Sequence, residues 1–438
     1  MPRILCYTSP GRGHLFPVVP ILLELQRRGH EVVLLTLRDE LPRVASAGLR
    51  ARPIAAAIED IAHDDWETGS PVAALDRAVR VFVARGAHEV DDLEVAIQAE
   101  RPDALLVDFN CWGATAVAER SGLPWSLFLP YFLPWSLPRI PPFGPGLAPR
   151  QDVWGRIRDR VVATLLLRIL DRNLPLLNGL RRRVGVPPLL HMDEIGRTAP
   201  RILYFTAEPF EYQCPERPDS VVMIGPTSWE PPSAAPEWVA SLEKPLVLVT
   251  CSTEYQADGI LVSAALEALA GEEVFVVATT AAVDPASFRV PPNARVEQFV
   301  PHGPLLERAV CVVCHGGMGI TQKALGAGVP VCVVPFGRDQ FEVARHVEVA
   351  RAGASVKAKG LTAARLRESI RVARGRRPGA ERIAQAFRAA GGAARGADEL
   401  ESLLDTRARR GSAGQSPDEA QNVPALRSDI CGTRSGRA

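Results

Sequence analysis

The sequence predicts an α/β protein made of two successive doubly wound parallel-sheet domains, and three observations carry that prediction. At 438 residues with 47% apolar content, the chain is too long for one ordinary core and suits two domains of about 200 residues each. Short β-branched runs alternate with longer helical patterns, the order expected of parallel sheets covered on both faces. A second series of the same kind begins after a proline-rich stretch, Pro226 to Pro236.

In the first series, Ile4 to Tyr7, Glu31 to Thr36, Ala104 to Val107, Trp125 to Leu129 and Ile202 to Phe205 read as buried strands. Leu15 to Arg28, Val72 to Gln98 and Ala114 to Ser121 read as the helices between them. In the second, the strands are Leu246 to Thr250, Glu273 to Ala278, Ala294 to Phe299, Val310 to Cys314 and Val331 to Val334, with helices at Ile260 to Ala270 and Ile320 to Ala327. The expected boundaries are a first domain over 1–216, a linker over 217–240 and a second domain over 241–385. A helix over 386–405 is expected to pack back on the first domain. The aperiodic Arg, Gly, Ser, Pro and Asp composition of 406–438 predicts a disordered tail.

With 51 Lys and Arg against 50 Asp and Glu, no global field exists to attract nucleic acid or an anionic membrane. A small partner is expected. The apolar run Val161 to Leu167 stops at Arg168, well short of the roughly 20 residues a spanning helix needs. Ile4 to Tyr7 is too short for a signal h-region. A cytoplasmic protein, monomeric or homodimeric and without stable membrane insertion, is therefore expected. The eight cysteines lie mostly in apolar, strand-like segments, where a reduced thiol packs as a small hydrophobe.

Between the strands of the first series lies an insert. Residues 131–150 hold six prolines together with Phe132, Trp135 and Phe143, and a basic, amphipathic helical stretch follows from Trp154 to Arg183. It reads as a surface loop with a helix covering the sheet, as a mobile apolar wall for a hydrophobic substrate, or as a membrane-surface helix.

Four stretches carry chemistry. "SPGRGHLFP", Ser9 to Pro17, follows the first strand, and Phe16 stands where a dinucleotide fingerprint wants its third glycine. A glycine-flanked turn remains, holding His14 at a helix N-terminus. There the dipole disfavours protonation, and a neutral imidazole is what a general base requires. Capping or packing is the alternative role. Asp108, at the end of its strand, reaches the same sheet edge as His14, whereas Asp103 begins that strand at the opposite edge; a carboxylate so placed fixes a base's tautomer. Asp108 could equally cap a helix or a turn.

"CVVCHGGMG", Cys311 to Gly319, spells both a c-type haem attachment pattern and a glycine-rich anion loop. Cys311 and Cys314 sit three apart on a strand and so point to opposite faces, which removes the haem reading. His315 then ends the strand, and Gly316, Gly317 and Gly319 leave amides bare at a helix N-terminus, an anion site, or else a purely structural turn. "PFGRDQ", Pro335 to Gln340, places Asp339 and Gln340 at the same sheet edge, where a carboxylate and an amide suit adjacent sugar hydroxyls.

Together "SPGRGH", "FVPHGPLL" at 299–306, "CHGGMG" and "PFGRDQF" resemble the nucleotide-sugar-dependent glycosyltransferases of family 1, the GT-B group that includes plant and macrolide enzymes. The likeness covers about residues 3 to 400. It implies that His14 deprotonates an acceptor hydroxyl, that Asp108 orients it, and that the hydroxyl displaces the leaving group directly, inverting an α-linked donor to a β-glycoside. It implies stacking of the donor base on Phe299 with the Val300 backbone nearby, and phosphate contacts from Ser252, Thr253, His315 and the following amides. Asp339 and Gln340 would bind the sugar. Gly13, Phe16, Phe132 and Trp135 are the candidate contacts to a hydrophobic acceptor, a natural product or antibiotic aglycone.

Two positions depart from the family pattern. Ile320 replaces the usual Ser or Thr, leaving Thr321 as the candidate hydroxyl, and Lys323 replaces a ribose-binding glutamate. The resemblance implies a UDP or TDP sugar as co-substrate with no separate cofactor; no Asp-x-Asp motif closes a strand, so no metal is expected. A nucleotide-sugar epimerase or a non-catalytic nucleotide-sugar-binding protein is the alternative. His63, Asp64 and Asp65 are read as a solvated polar loop.

Overall fold

The structure, a computed structural model, describes residues 1–413 apart from 69, 232, 233, 235, 253–257 and 282. Both predicted sheets are present and wholly parallel. The first contains β1 (Arg3–Tyr7), β2 (Glu31–Thr36), β3 (Arg50–Pro53), β4 (Ala104–Asp108), β5 (Trp125–Leu129), β6 (Ile202–Tyr204) and β7 (Val221–Met223) in the order β3-β2-β1-β4-β5-β6-β7. The second contains β8 (Leu246–Thr250), β9 (Phe275–Thr279), β10 (Ala294–Glu297), β11 (Ala309–Cys314), β12 (Val331–Val333) and β13 (Gly353–Ser355) in the order β10-β9-β8-β11-β12-β13. The central strands are buried along their whole length, as their unbroken apolar runs require.

In each sheet the strand order reverses beside the first strand of its series: β1 pairs with both β2 and β4, and β8 with both β9 and β11. Such switch points open a crevice at the carboxyl ends of the strands. The loops after β1, β4, β8 and β11 therefore line these crevices. Cys311 and Cys314 of β11 enter the cores on opposite faces of the second sheet. The seven described cysteines are all free and buried.

Three short strands escaped the sequence reading. β3 reads "RARP" without an apolar run, β13 is "GAS", and β7 lies inside the stretch assigned to the linker. That assignment is corrected: 221–223 pair with β6 at the sheet edge, and so few residues carry no period to read. The last helix is Gly392–Ala413. It runs past the expected boundary at 406 because Arg and Ala are good helix formers; the rest of the predicted tail lies outside the described residues. Ala397 and Leu400 of this helix sit in the same core as Leu15, Ile21 and Leu25 of the helix Arg12–Arg27. Arg28 at the end of that first helix pairs with Asp398 at 2.6 Å and with Glu401 at 2.7 Å. The helix Gly392–Ala413 thereby packs on the first helix of the first lobe.

Leu400 is fully buried in this contact. Leu400→Ala is expected to lower stability by about 2–5 kcal/mol, measured as a fall in the urea midpoint; an unchanged midpoint would show that the last helix adds nothing to the first lobe.

Candidate active site

The helix Arg12–Arg27 begins directly after β1, and His14 sits in its first turn. β4 delivers Asp108 to the same edge, because Tyr7 and Val107 are paired across the sheet. The His14 Nδ1 lies 3.0 Å from Asp108 Oδ1. Asp108 is wholly buried, and donors fill its other positions: the Ser9 N–H at 3.0 Å and Ser9 Oγ–H at 2.7 Å to Oδ2, and the Asn110 N–H at 3.0 Å to Oδ1. Burial alone pushes the carboxyl up, but His14 and these hydrogen bonds outweigh it and hold the group below its ordinary value. Asp108 is thus an anion that takes the Nδ1–H of His14. The lone pair is left on Nε2, the arrangement a base needs.

Across the cleft stands Asp339, at the N-terminus of the helix Gln340–Val349. Burial pushes its carboxyl up, opposed by its own backbone N–H, Arg338 and His14, so the base and this acid face one another from different lobes. The side-chain carbonyl of Gln340 is engaged within its own loop. Its Oε1 accepts the Phe336 and Gly337 N–H groups at 2.7 and 3.1 Å, so the carbonyl organises the loop.

At the second switch point, His315 is buried, and burial pushes its imidazole down to about 4. Uncharged at neutral pH, it can serve a phosphate only as a neutral group. Its Nδ1 has no hydrogen-bond partner among the described residues. Gly316 has φ +97°, and a Cβ there would meet Val333 at 2.8 Å; a Cβ on Gly317 would strike the His315 ring at 2.5 Å. Both positions therefore require glycine. Gly319 faces open space. Thr321 is fully buried with its Oγ1 3.7 Å from Cys314 Sγ. It cannot replace the hydroxyl missing at Ile320, because one residue along a helix is a rotation of roughly 100°. Ser252 is buried and its N–H donates to Asp258 at 2.6 Å; Thr253 lies outside the described residues.

Phe299 is 62% exposed and Val300 buried, so the ring offers an open face in the loop that follows the edge strand β10. Lys323 forms an ion pair with Glu230 of the linker, which also accepts the His302 N–H at 3.0 Å. The lysine is neutralised by a carboxylate from another segment.

Two of the four expected acceptor contacts, Phe132 and Trp135, are corrected. Phe132 and Trp135 are 2% and 3% exposed. Phe132 stacks on His346 at 3.7 Å, and Trp135 donates its Nε1–H to the Ile195 carbonyl at 2.9 Å. Phe16 packs edge-on against Trp229 at 5.5 Å, and Gly13 is exposed with space around it. The insert is a bridge between lobes rather than a loose wall: Glu342 accepts the N–H groups of Gly144 and Gly146 at 2.9 and 2.8 Å. Beside His14 stand instead Tyr131, edge-on at 5.8 Å, and Phe143 beyond it. The outer face of the helix Val153–Leu170 carries exposed Trp154, Ile157, Val161 and Leu165. Among the described residues no helix is long and apolar enough to cross a membrane.

The loop read as solvated is also corrected. Asp65 is buried and grips Arg338 with both carboxylate oxygens, at 2.7 Å to Nη2 and 3.1 Å to Nε. This holds Arg338, at φ +52°, directly before Asp339. Asn110 and Tyr131 were missed as well. Their positions just past the carboxyl ends of β4 and β5 were the available signal, but neither residue type stands out alone.

Two parallel-sheet lobes with their switch points face to face define a GT-B protein. Comparison with known proteins carries this further. The family described as "Erythromycin biosynthesis protein CIII-like, C-terminal domain" matches residues 262–398. The chain is 33% identical over 387 residues to 4'-demethylrebeccamycin synthase of Lentzea aerocolonigenes, covering 84% of this chain and 91% of that one. It is 26% identical to L-demethylnoviosyl transferase of Streptomyces niveus, over 81% of this chain and 85% of that one. The glycosyltransferase of kitacinnamycin superposes with a TM-score of 0.74 at 22% identity, covering 92% of this chain and 99% of that one. VinC, solved in complex with dTDP, gives 0.70 at 22% identity over 92% and 100%. The chain belongs to the nucleotide-sugar-dependent glycosyltransferases of the GT-B fold, and it is an enzyme of that class.

The buried state of His315 makes a pH prediction. Its value falls from an ordinary 6.5 to about 4 on folding, so below 6.5 the unfolded chain binds the extra proton. The stability owed to the neutral ring is complete above pH 6.5 and is lost progressively as pH falls toward 4, on the order of 3 kcal/mol in all. Urea midpoints measured across that window should fall more steeply for the wild type than for His315→Gln; parallel curves would contradict the burial assignment.

Proposed function

We propose that this glycosyltransferase transfers a sugar from a thymidine- or uridine-diphosphate donor to a hydroxyl of a hydrophobic natural-product acceptor, by direct displacement with inversion. The observation that carries the reading is the His14–Asp108 pair, a base with its tautomer fixed, opposite Asp339 on the other lobe. The acceptor O–H gives its proton to His14 Nε2. Its oxygen bonds to the anomeric carbon, and the bond to the diphosphate oxygen breaks with its electron pair on the diphosphate. The bare amides around Gly317 to Gly319 and the helix N-terminus meet that charge without a metal ion. Asp339 accepts from sugar hydroxyls, and Phe299 offers a stacking face to the base.

A thymidine nucleotide is favoured by the family's company: VinC and the glycosyltransferase SsfS6 are both structures solved with thymidine diphosphate. The acceptor class follows from Tyr131 and Phe143 beside the base and from the relatives that make rebeccamycin-type and noviosyl products. In a thermal-shift screen, dTDP or UDP should raise the melting temperature by mass action; no shift with either would overturn the donor half of the reading. His14→Ala is expected to lower kcat/KM by roughly 10²- to 10⁴-fold while the nucleotide-induced shift persists. Near-normal turnover in that variant would remove His14 as the base.

A further inference from the structure

The base is held from both ends. Asp108 fixes Nδ1, and the Asn110 Nδ2 lies 3.3 Å from Nε2 of the same ring. Asn110 is held in turn by the Tyr131 hydroxyl, which donates to its Oδ1 at 2.6 Å. Four groups from the ends of three strands thus form one chain: Asp108 after β4, His14 after β1, Asn110 in the β4 loop and Tyr131 after β5. With His14 neutral, as a base must be, the direction of each bond follows. A buried carboxylate can only accept, so Nδ1 carries the proton. Nε2 is then a lone pair, so the Asn110 group facing it is the NH₂, and its carbonyl oxygen must face the Tyr131 hydroxyl.

We infer that Asn110, oriented by Tyr131, is a positioning residue for the transfer reaction: its amide occupies the base nitrogen of His14 as a donor until the acceptor hydroxyl replaces it. This rests on His14 being the base. An N–H donor at Nε2 disfavours the protonated ring, so Asn110 keeps the base ready at neutral pH and marks where the acceptor O–H must sit. When the hydroxyl arrives, its O–H takes over the bond to Nε2, and the displaced NH₂ lies within reach of the same oxygen. As that oxygen loses its proton and gains negative charge, a donor beside it is favourable. A neutral ring decides which end of the amide faces Nε2, and the Tyr131 hydroxyl, bonded to the Asn110 Oδ1, holds it there. Without that hydroxyl, Asn110 can turn its carbonyl toward the ring, which favours the imidazolium. The charged and titratable groups facing His14 are Asp108, Tyr131 and, from the second lobe, Asp339 with Arg338 beside it.

The test is the pH profile of kcat/KM for the acceptor at saturating donor, with dTDP-induced thermal shift as the control for folding and donor binding. Asn110→Asp puts an acceptor in place of the donor at Nε2 and should move the acid limb up by about one pH unit or more, with a loss of about tenfold or more at neutral pH. Tyr131→Phe, a milder change, should move the limb in the same direction by less, with the donor KM and the dTDP shift unchanged. Wild-type acid limbs in both variants would overturn the inference. If His14→Ala is inactive and those limbs do not move, only the role of Asn110 fails; if His14→Ala remains active, the base assignment fails and the inference with it.

Discussion

The site depends on one buried negative charge. Asp108 has no contact with solvent, and a carboxylate in that position is tolerable only when its lone pairs are filled by donors. The Ser9 amide and hydroxyl, the Asn110 amide and the His14 ring fill them. These groups come from the loops after β1 and β4, the two strands on either side of the first switch point. The same bonds that make the charge stable therefore fix the loops, the imidazole tautomer and the edge at which the proposed reaction takes place. Structure and chemistry here share one set of hydrogen bonds.

The second lobe is brought to that edge by further buried carboxylates. Asp65 reaches across to Arg338, Glu342 reaches back to the amides of Gly144 and Gly146, and Glu211 lies 3.4 Å from His346, itself stacked between Phe132 and Tyr212. Buried pairs of this kind add little net stability compared with apolar packing, yet breaking one leaves an unpaired buried charge. They make the relative placement of the lobes specific. Asp339 gains its position from this: Arg338, one residue earlier, is anchored by the first lobe.

Much of this was legible in sequence. The central strands are unbroken apolar runs, and an apolar run flanked by glycine turns locates both the strand and the ligand edge. His14, Asp108 and His315 stand out in the sequence because each follows or ends such a strand with a residue type that can do chemistry, and the structure places all three at the carboxyl edges of the sheets. The cross-lobe contacts were not legible. Asp65 lies 273 positions from Arg338, and nothing in "HDDW" distinguishes a buried anchor from a solvated turn. Phe132 and Trp135 were misplaced for a related reason: an aromatic residue in a proline-rich loop looks the same whether it lines an open wall or a packed interface. Thr321 shows the limit of a one-residue substitution, since helix rotation turns its hydroxyl to Cys314.

The central claim is a single displacement at the anomeric carbon, driven by His14 on one lobe with the donor held by the other. The most direct measurement is the anomeric configuration of the product formed from an α-linked nucleotide sugar, read from the coupling constant of the anomeric proton by NMR. The account predicts inversion, a β-linked product formed without an enzyme-bound sugar. A product that retains the α configuration would contradict it.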